Sequence, residues 1–356
     1  MKVAVVYNDK HIVPDDVVNF YGIHTSEYYS QKTVSKVATA LSKNGHDVRI
    51  INGNKNIINE IQSFFSDIEI PGLVFNMAYG IQGTSRYSHI PSILEMVGIP
   101  YVGSSPETHS ICQNKVLTKI ILKNFGILTP KYWHFKSSST NLSKVKFPVI
   151  VKPVMESSSS GIHIAKDLDE LSQFLSDVTH DFKQDALIEQ FIPGREFTVS
   201  LIGNHPKVEI LPIIEFDFGH DPMLIQTNKT KAKRLISKIC PADIPLDMEL
   251  KIKKTCLKIF EKLNLRDYCR IDLRLDSLGN LYVLEVNSMA SLGVGGSLVK
   301  SAKTAGYNFN NTINRIFDVA VLRCLNMSTS SGITQIIDTQ PNNPIESVTN
   351  TENLAI

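Results

Sequence analysis

Between residues 270 and 287 the chain reads Arg270-Ile271-Asp272-Leu273-Arg274-Leu275-Asp276, a turn at Ser277 to Asn280, then Leu281-Tyr282-Val283-Leu284-Glu285-Val286-Asn287. Polar and apolar residues alternating on both sides of a short polar turn predict an antiparallel hairpin. Alternate residues of a strand share a face, so Arg270 and Asp272 point the same way, as do Glu285 and Asn287 on the facing strand. Two carboxylates and an amide oxygen are hard ligands suited to Mg²⁺, which completes its shell with phosphate oxygens and water. Asp272, Glu285 and Asn287 are therefore candidate metal ligands, with Glu285 placed to bridge two ions. A solvated sheet face carries the same alternation, so other residues must decide between the two.

Two further stretches bear on that choice. Pro148-Val149-Ile150-Val151-Lys152-Pro153 is an apolar strand ending in a lysine, followed by Glu156-Ser157-Ser158-Ser159-Ser160-Gly161. A cation beside a loop of small hydrogen-bond donors suits a polyphosphate, although the Gly-Lys-Ser/Thr order of a Walker loop is missing. Residues Ala186 to Val199 read as two strands around Pro193-Gly194. Glu189 is placed to accept from an adenine amino group while the Gln190-to-Ile192 backbone reads the ring edge, and Glu196 is a candidate for ribose hydroxyls.

The rest of the chain reads as an α/β protein. Val3 to Tyr7 suits a buried first strand and is too short for a membrane span or a signal-peptide core. Apolar runs then alternate with helical stretches, predicting an open parallel sheet over residues 1–105. A central lobe is expected over 106–185, and a lobe of mainly antiparallel strands over 186–325. After Leu325 the composition turns to Ser, Thr, Asn, Pro and Gln, predicting a flexible tail over 326–356. Thirty-seven Lys+Arg against 35 Asp+Glu argue against nucleic acid or an anionic membrane as partner. Five scattered cysteines fit neither a disulfide framework nor a zinc site, and suit a reducing cytoplasm.

Taken in order, Lys115, Val151-Lys152-Pro153, Ser158-Ser159, Glu189 through Glu196, Arg270-Ile271-Asp272, Glu285-Val286-Asn287 and Ser297-Leu298 resemble the D-alanine–D-alanine ligase branch of the ATP-grasp superfamily. The resemblance spans residues 1 to about 320. It implies an ATP-grasp fold whose N-terminal sheet is followed by two lobes clasping ATP. It also implies an ATP-dependent ligase that activates a carboxylate as an acyl phosphate and joins it to an amine. Lys115 and Lys152 would hold the phosphates, with Ser158 and Ser159 covering them. Glu189, Gln190, Ile192 and Glu196 would seat the adenosine. Asp272, Glu285 and Asn287 would hold two Mg²⁺ ions, Mn²⁺ being an acceptable substitute, and Arg270 would stabilise the oxyanion. The catalytic set is then Arg270, Lys152 and Ser158. The substrates would be a small carboxylate and an amino acid, and the family form is a cytoplasmic homodimer.

This chain departs from that family where the substrates would sit. In place of His-Gly-x-x-Gly-Glu-Asp-Gly it has Tyr79-Gly80-Ile81-Gln82-Gly83, then Arg86-Tyr87-Ser88-His89. The family's Glu-x-Ser motif has only Glu27-Tyr28-Tyr29-Ser30, one residue out of register, and the lid around Lys229 to Arg234 is basic and lacks tyrosine. Glu27, Tyr79, Arg86, His89, Ser297 and Leu298 are accordingly the candidate substrate contacts. One alternative is a natural-product ligase that joins an amino acid to a metabolite such as mycosporine-glycine. The other is a non-catalytic nucleotide-binding protein.

Overall fold

The first apolar run is sealed on both sides. In this computed structural model, residues 1–9, 27–67, 72–136, 141–157, 159–219, 225–226 and 236–330 are described. The N-terminal unit runs β1 (Lys2–Tyr7), α1 (Gln31–Lys43), β2 (Asp47–Asn52), α2 (Ile57–Phe64), β3 (Gly72–Asn76), α3 (His89–Met96) and β4 (Tyr101–Val102). Its strands form a parallel sheet in the order β2-β1-β3-β4. Val3 and Val5 pack into one core with Val34, Val37 and Leu41 of α1, whereas Ala4 and Val6 pack into another with Ile57 and Ile61 of α2 and Leu94 of α3. Burial on both faces explains why β1 is a continuous apolar run without alternation.

Two helices follow, α4 (Pro106–Gln113) and α5 (Lys115–Asn124). Ser105 caps α4, its hydroxyl accepting from the Thr108 amide at 3.3 Å, and Asn114 caps α5 by accepting from the amides of Val116 and Leu117. The expected grouping puts these helices in the central lobe. Their apolar residues divide between two cores: Cys112, Leu122 and Ile127 belong to that of the last sheet, and Val116 packs with Val154, Met155 and Leu187.

The central sheet contains β5 (Tyr132–Phe135), β6 (Val149–Pro153), β7 (His163–Ala165) and β8 (Ala186–Gln190), ordered β5-β8-β6-β7 and antiparallel throughout. It is covered by α6 (Leu168–Asp181) through Leu171, Leu175 and Val178. The third sheet comprises β9 (Arg195–Asn204), β10 (Lys207–Ile210), β11 (Ile214–Asp217), β12 (Ser237–Ile239), β13 (Asp267–Leu275) and β14 (Leu281–Asn287). Its order is β12-β11-β9-β13-β14, with β10 on β9. Helix α7 (Leu246–Lys262) buries Ile252, Cys256 and Ile259 against it. Helices α8 (Ser297–Thr304) and α9 (Phe309–Ser330) follow. The last helix runs to Ser330, past the position where the composition predicts a tail, and 331–356 lie outside the described residues.

One buried carboxylate joins the first unit to the last. Asp267 is fully buried at the start of β13, with φ of 63°. Its oxygens accept from the Gly103 amide at 2.7 Å, Asn204 Nδ2 at 2.9 Å, and Arg323 Nε and Nη2 at 3.0 and 2.8 Å. Arg323 Nη2 also donates to the Tyr101 carbonyl at 2.7 Å. Loop, strand and C-terminal helix are therefore tied through one group. Asp267→Ala strips Arg323 of its counter-ion, and removing one partner of a buried pair costs about 3–5 kcal/mol. Denaturant unfolding is expected to show that loss, and a change under about 1 kcal/mol would refute the assignment.

Candidate active site

The hairpin register matches the alternation of the sequence. Arg270 lies opposite Asn287 and Asp272 opposite Glu285, while on the other side Ser200 faces Arg270, Thr198 faces Asp272 and Glu196 faces Arg274. Polar rows thus cross β9, β13 and β14 on one face. Phe197, Val199, Ile271, Leu273 and Val286 carry the core on the other. A bulge shifts the register between Asp272 and Leu273, and both Leu284 and Glu285 border the cleft above the sheet.

Asp272 is held from three sides. Arg270 Nε and Nη2 donate to its two oxygens at 3.0 and 2.8 Å, Thr198 Oγ1 donates at 2.6 Å, and Asn287 Nδ2 donates at 3.1 Å. This bidentate arginine pair is the strong kind. Its own donation to Asp272 fixes the Asn287 amide with the nitrogen toward that carboxylate. Asp272, Glu285 and Asn287 remain half-buried, so their oxygens are sheltered yet reachable. Two carboxylates and an amide oxygen on one sheet face fit the oxygen-only shell of Mg²⁺.

Across the cleft, Lys152 and Glu189 stand on adjacent central strands, and both border it. One oxygen of Glu189 pairs with Lys152 and the other with Lys119 of α5, all three side chains being at least nine-tenths buried. Lys119 Nζ also donates to Thr129 Oγ1 at 2.6 Å. Burial disfavours the Glu189 charge, but the two lysines together pull its pKa down to about 2. Burial also disfavours both ammonium groups. It wins at Lys119, whose pKa falls to about 8, whereas at Lys152 attraction to Glu189 and Glu285 outweighs it and raises the pKa. Lys115 is buried at the head of α5, its Nζ donating to the Glu156 carbonyl, and burial lowers its pKa.

The remaining adenosine candidates are already engaged by the protein. Glu196 accepts from Arg274 Nε at 3.0 Å and from Gln226 Nε2 at 2.8 Å, and Arg274 Nη1 donates to the Ile192 carbonyl at 2.7 Å. The Gln190 side chain is exposed, although the residue borders the cleft. Ser159 lines the cleft with φ of 64°, and Ser158 lies outside the described residues. Gly161 has φ of 68°, and a Cβ there would lie 2.8 Å from Phe182 and Pro153, so this loop needs glycine. Most of the expected lid, including Lys229 to Arg234, also lies outside the described residues.

Of the substrate candidates, Glu27, Tyr79 and Arg86 come together. Arg86 Nη2 donates to Glu27 Oε2 at 3.0 Å, Tyr87 OH donates to the same oxygen at 2.7 Å, and Tyr79 stands between Tyr29 and Tyr87 at centroid distances of 5.2 and 5.3 Å. Ser30 is drawn away to cap α1. His89 is exposed at the start of α3. Ser297 borders the cleft, whereas the Leu298 side chain is packed in the core, so only the serine of that pair faces a ligand.

Sequence reasoning missed Lys119 and Arg274. The signal for Lys119 was its place one helical turn after Lys115 on a shared face. Arg274 needed the pairing of β13 with β9. Lys119 supplies Glu189 with a second counter-ion, so if Lys152 turned to a nucleotide phosphate, as the resemblance implies, the buried carboxylate would not be stranded. Lys119→Met is expected to weaken ATP binding about tenfold or more, by titration, with Lys119→Arg recovering most of it. Because the Lys119 pKa is depressed to about 8, its charge is present below that pH and lost above it. ATP affinity is therefore expected to fall above about pH 8 in the native chain and to stay level in Lys119→Arg. Unchanged binding in Lys119→Met would contradict this role.

Comparison with known proteins relates the chain to one family. The family model described as D-ala D-ala ligase C-terminus matches residues 119–318. An uncharacterised protein of Sinorhizobium fredii, y4sG, is 35% identical over 90% of this chain and 97% of its own length. D-alanine–D-alanine ligase of Aquifex aeolicus is 29% identical, over 84% of this chain and 98% of the relative. Among solved structures, D-alanine–D-alanine ligase of Bacillus anthracis superposes with a TM-score of 0.71 at 25% identity, covering 92% of this chain and 99% of that one. VanG D-Ala:D-Ser ligase of Enterococcus faecalis gives 0.65 at 18% identity, covering 90% and 99%. The chain belongs to the D-alanine–D-alanine ligase family and has the ATP-grasp fold.

Proposed function

We propose that this protein is an ATP-dependent carboxylate–amine ligase that forms an amide bond through an acyl phosphate and releases ADP and phosphate. The observation that carries the reading is one cleft bordered by Lys152 and Glu189 on one side and by Arg270, Asp272 and Glu285 on the other. A solved relative of 22% identity and TM-score 0.70, the Bacillus anthracis ligase, is described as complexed with ATP. The relatives give no support to a tailoring ligase for mycosporine-glycine or to a non-catalytic nucleotide-binding protein.

The chemistry follows from charge. A carboxylate and a γ-phosphate repel one another, so cations must neutralise them before they meet in line. Lys115 and Lys152 supply two of these, Lys152 by moving from Glu189 to a phosphate. Asp272, Glu285 and Asn287 would hold Mg²⁺, in two ions or with Mn²⁺ in its place, and the metal would neutralise phosphate charge. The loop from Ser157 to Gly161, including Ser158, keeps water from the acyl phosphate. When the amine attacks, negative charge develops on the carbonyl oxygen, and Arg270, held flat against Asp272, stabilises it. Glu196 and the Gln190–Ile192 strand seat the adenosine, with Arg274 and Gln226 orienting Glu196.

The division into an N-terminal lobe to residue 105, a central lobe to 185 and a C-terminal lobe beyond belongs to the same reading, supported by the three separate sheets. So do the homodimer and the cytoplasmic location carried by the resemblance. No helix among the described residues is long and apolar enough to cross a membrane. ADP release is expected when ATP and Mg²⁺ are supplied with a panel of D- and L-amino acids and small carboxylates. Glu285→Gln is expected to cut turnover by about a hundredfold or more with the fold intact. Release from no acid–amine pair would refute the ligase, and full activity of Glu285→Gln would refute the metal site.

A further inference from the structure

The stretch from Val154 to Ser157 leads from the strand that carries Lys152 into the serine loop, and the protein holds it residue by residue. The Val154 carbonyl accepts from the Lys115 amide at 3.2 Å, and the Met155 amide donates to Gln184 Oε1 at 3.1 Å. The Met155 carbonyl accepts from Arg86 Nη2 at 3.0 Å, and the Glu156 carbonyl accepts from Lys115 Nζ. The Glu156 carboxylate accepts from Gln184 Nε2 at 2.6 Å and from Arg86 Nη2 at 3.5 Å, and Ser157 Oγ lies 3.2 Å from Tyr87 OH. Met155, Glu156 and Ser157 thus all meet the N-terminal unit through the neighbouring pair Arg86 and Tyr87.

Arg86 is itself fixed from behind. It is 3% exposed, and its Nη2 also donates to Glu27 Oε2 at 3.0 Å. Its backbone presses against Gly80, where φ is 80° and a Cβ would lie 2.2 Å from the Arg86 carbonyl oxygen, so the approach needs glycine. The Gly80 amide donates to Asn8 Oδ1 at 2.8 Å, just past the end of β1, and the Tyr87 amide donates to Gln113 Oε1 at 3.3 Å. The guanidinium therefore reaches the base of the loop from a backbone anchored on the N-terminal sheet. Charge-assisted bonds to a buried nitrogen are the strong kind, and losing the cation leaves two carboxylates without it.

We propose that Arg86 is a positioning residue that pins the base of the serine loop to the N-terminal unit, so that the loop closes over the phosphates and keeps water from the acyl phosphate. The inference rests on the ligase reading above and assigns the closure to a named joint. With the joint intact, the amine nitrogen bonds to the acyl carbon, the carbon–oxygen bond to phosphate breaks, and the nitrogen's proton goes to the departing phosphate. With the joint loosened, a water oxygen bonds to the same carbon and the same bond breaks, the two protons passing to phosphate and to solvent. The acid is then regenerated, and ATP is consumed without an amide.

Hydrogen exchange with the non-hydrolysable analogue β,γ-imido-ATP and Mg²⁺ reads the joint without any acid or amine. In the native chain the analogue is expected to slow exchange across residues 154–161 by about tenfold or more, and in Arg86→Gln by less than about threefold. All three acceptors meet one nitrogen, so Arg86→Lys, which brings an ammonium to the same place, is expected to restore most of the protection. Turnover reads the leak, with D-alanine as both acid and amine for the first probe and the acid–amine panel after it. ADP released per amide formed is expected to rise at least about threefold from the native enzyme to Arg86→Gln. Partial unfolding lowers both products together and leaves that ratio alone. Protection absent from the native chain, equal protection in a folded Arg86→Gln, or an unchanged ratio overturns the role of Arg86 and leaves the ligase reading intact. If Arg86→Gln does not fold, Glu156→Gln, which neutralises the other end of the joint, carries the same expectations and the same refutations. ADP release from no pair overturns the ligase reading and the leak together, while the exchange result still decides whether Arg86 pins the loop.

Discussion

A single buried carboxylate shared by two lysines sets the electrostatics of the cleft. Glu189 could not stay ionised in such surroundings alone, and neither Lys119 nor Lys152 would keep a proton there without it. Together they leave one net positive charge facing the space between the central sheet and the third sheet. The same rule repeats across the cleft, where Arg270 brackets Asp272 and Arg274 brackets Glu196. Glu189, Glu196 and Asp272 thus each arrive with a cationic partner supplied by the protein itself. In the proposed reading a polyphosphate would exchange places with internal partners, which is cheaper than desolvating new ones.

The fold delivers those partners by plain strand geometry. Period-two alternation on β9, β13 and β14 sends Phe197, Val199, Ile271 and Leu273 into a core shared with α7, and it sends Thr198, Arg270 and Asp272 to the opposite face. Asp267 at the start of the same strand ties the sheet to Gly103 and to Arg323, so the N-terminal unit is positioned by the strand that bears Arg270 and Asp272. This is how Tyr87, one of the cluster of Tyr29, Tyr79 and Tyr87, comes to share a small cavity with Glu285.

What could be read in the sequence depends on how far each contact reaches along the chain. The hairpin partners Asp272 and Glu285 are joined by a short turn, and alternation puts Arg270 with Asp272 and Glu285 with Asn287, but the bulge after Asp272 that brings the two pairs opposite one another is not written in the pattern. The lysine ending the apolar strand at 152 was equally plain. Lys119 was hidden because a lysine on an amphipathic helix ordinarily faces solvent, and only the packing of α5 beside Glu189 shows otherwise. Arg86 and Glu27 are 59 residues apart, and no local pattern announces their pairing. Leu298 was misleading for the opposite reason, since a motif position beside Ser297 turns inward one residue into its helix. The helix α4 was legible in principle from Ser105-Pro106-Glu107, a capping serine followed by proline at the first turn.

The central claim is that these residues bring a carboxylate oxygen onto the γ-phosphorus, and isotope transfer tests it directly. An acid that supports ADP release, labelled with heavy oxygen in its carboxylate, is incubated with ATP, Mg²⁺ and an amine, and the released phosphate is analysed by mass. Passage through an acyl phosphate puts one labelled oxygen into each phosphate formed. Unlabelled phosphate accompanying amide formation would contradict the account.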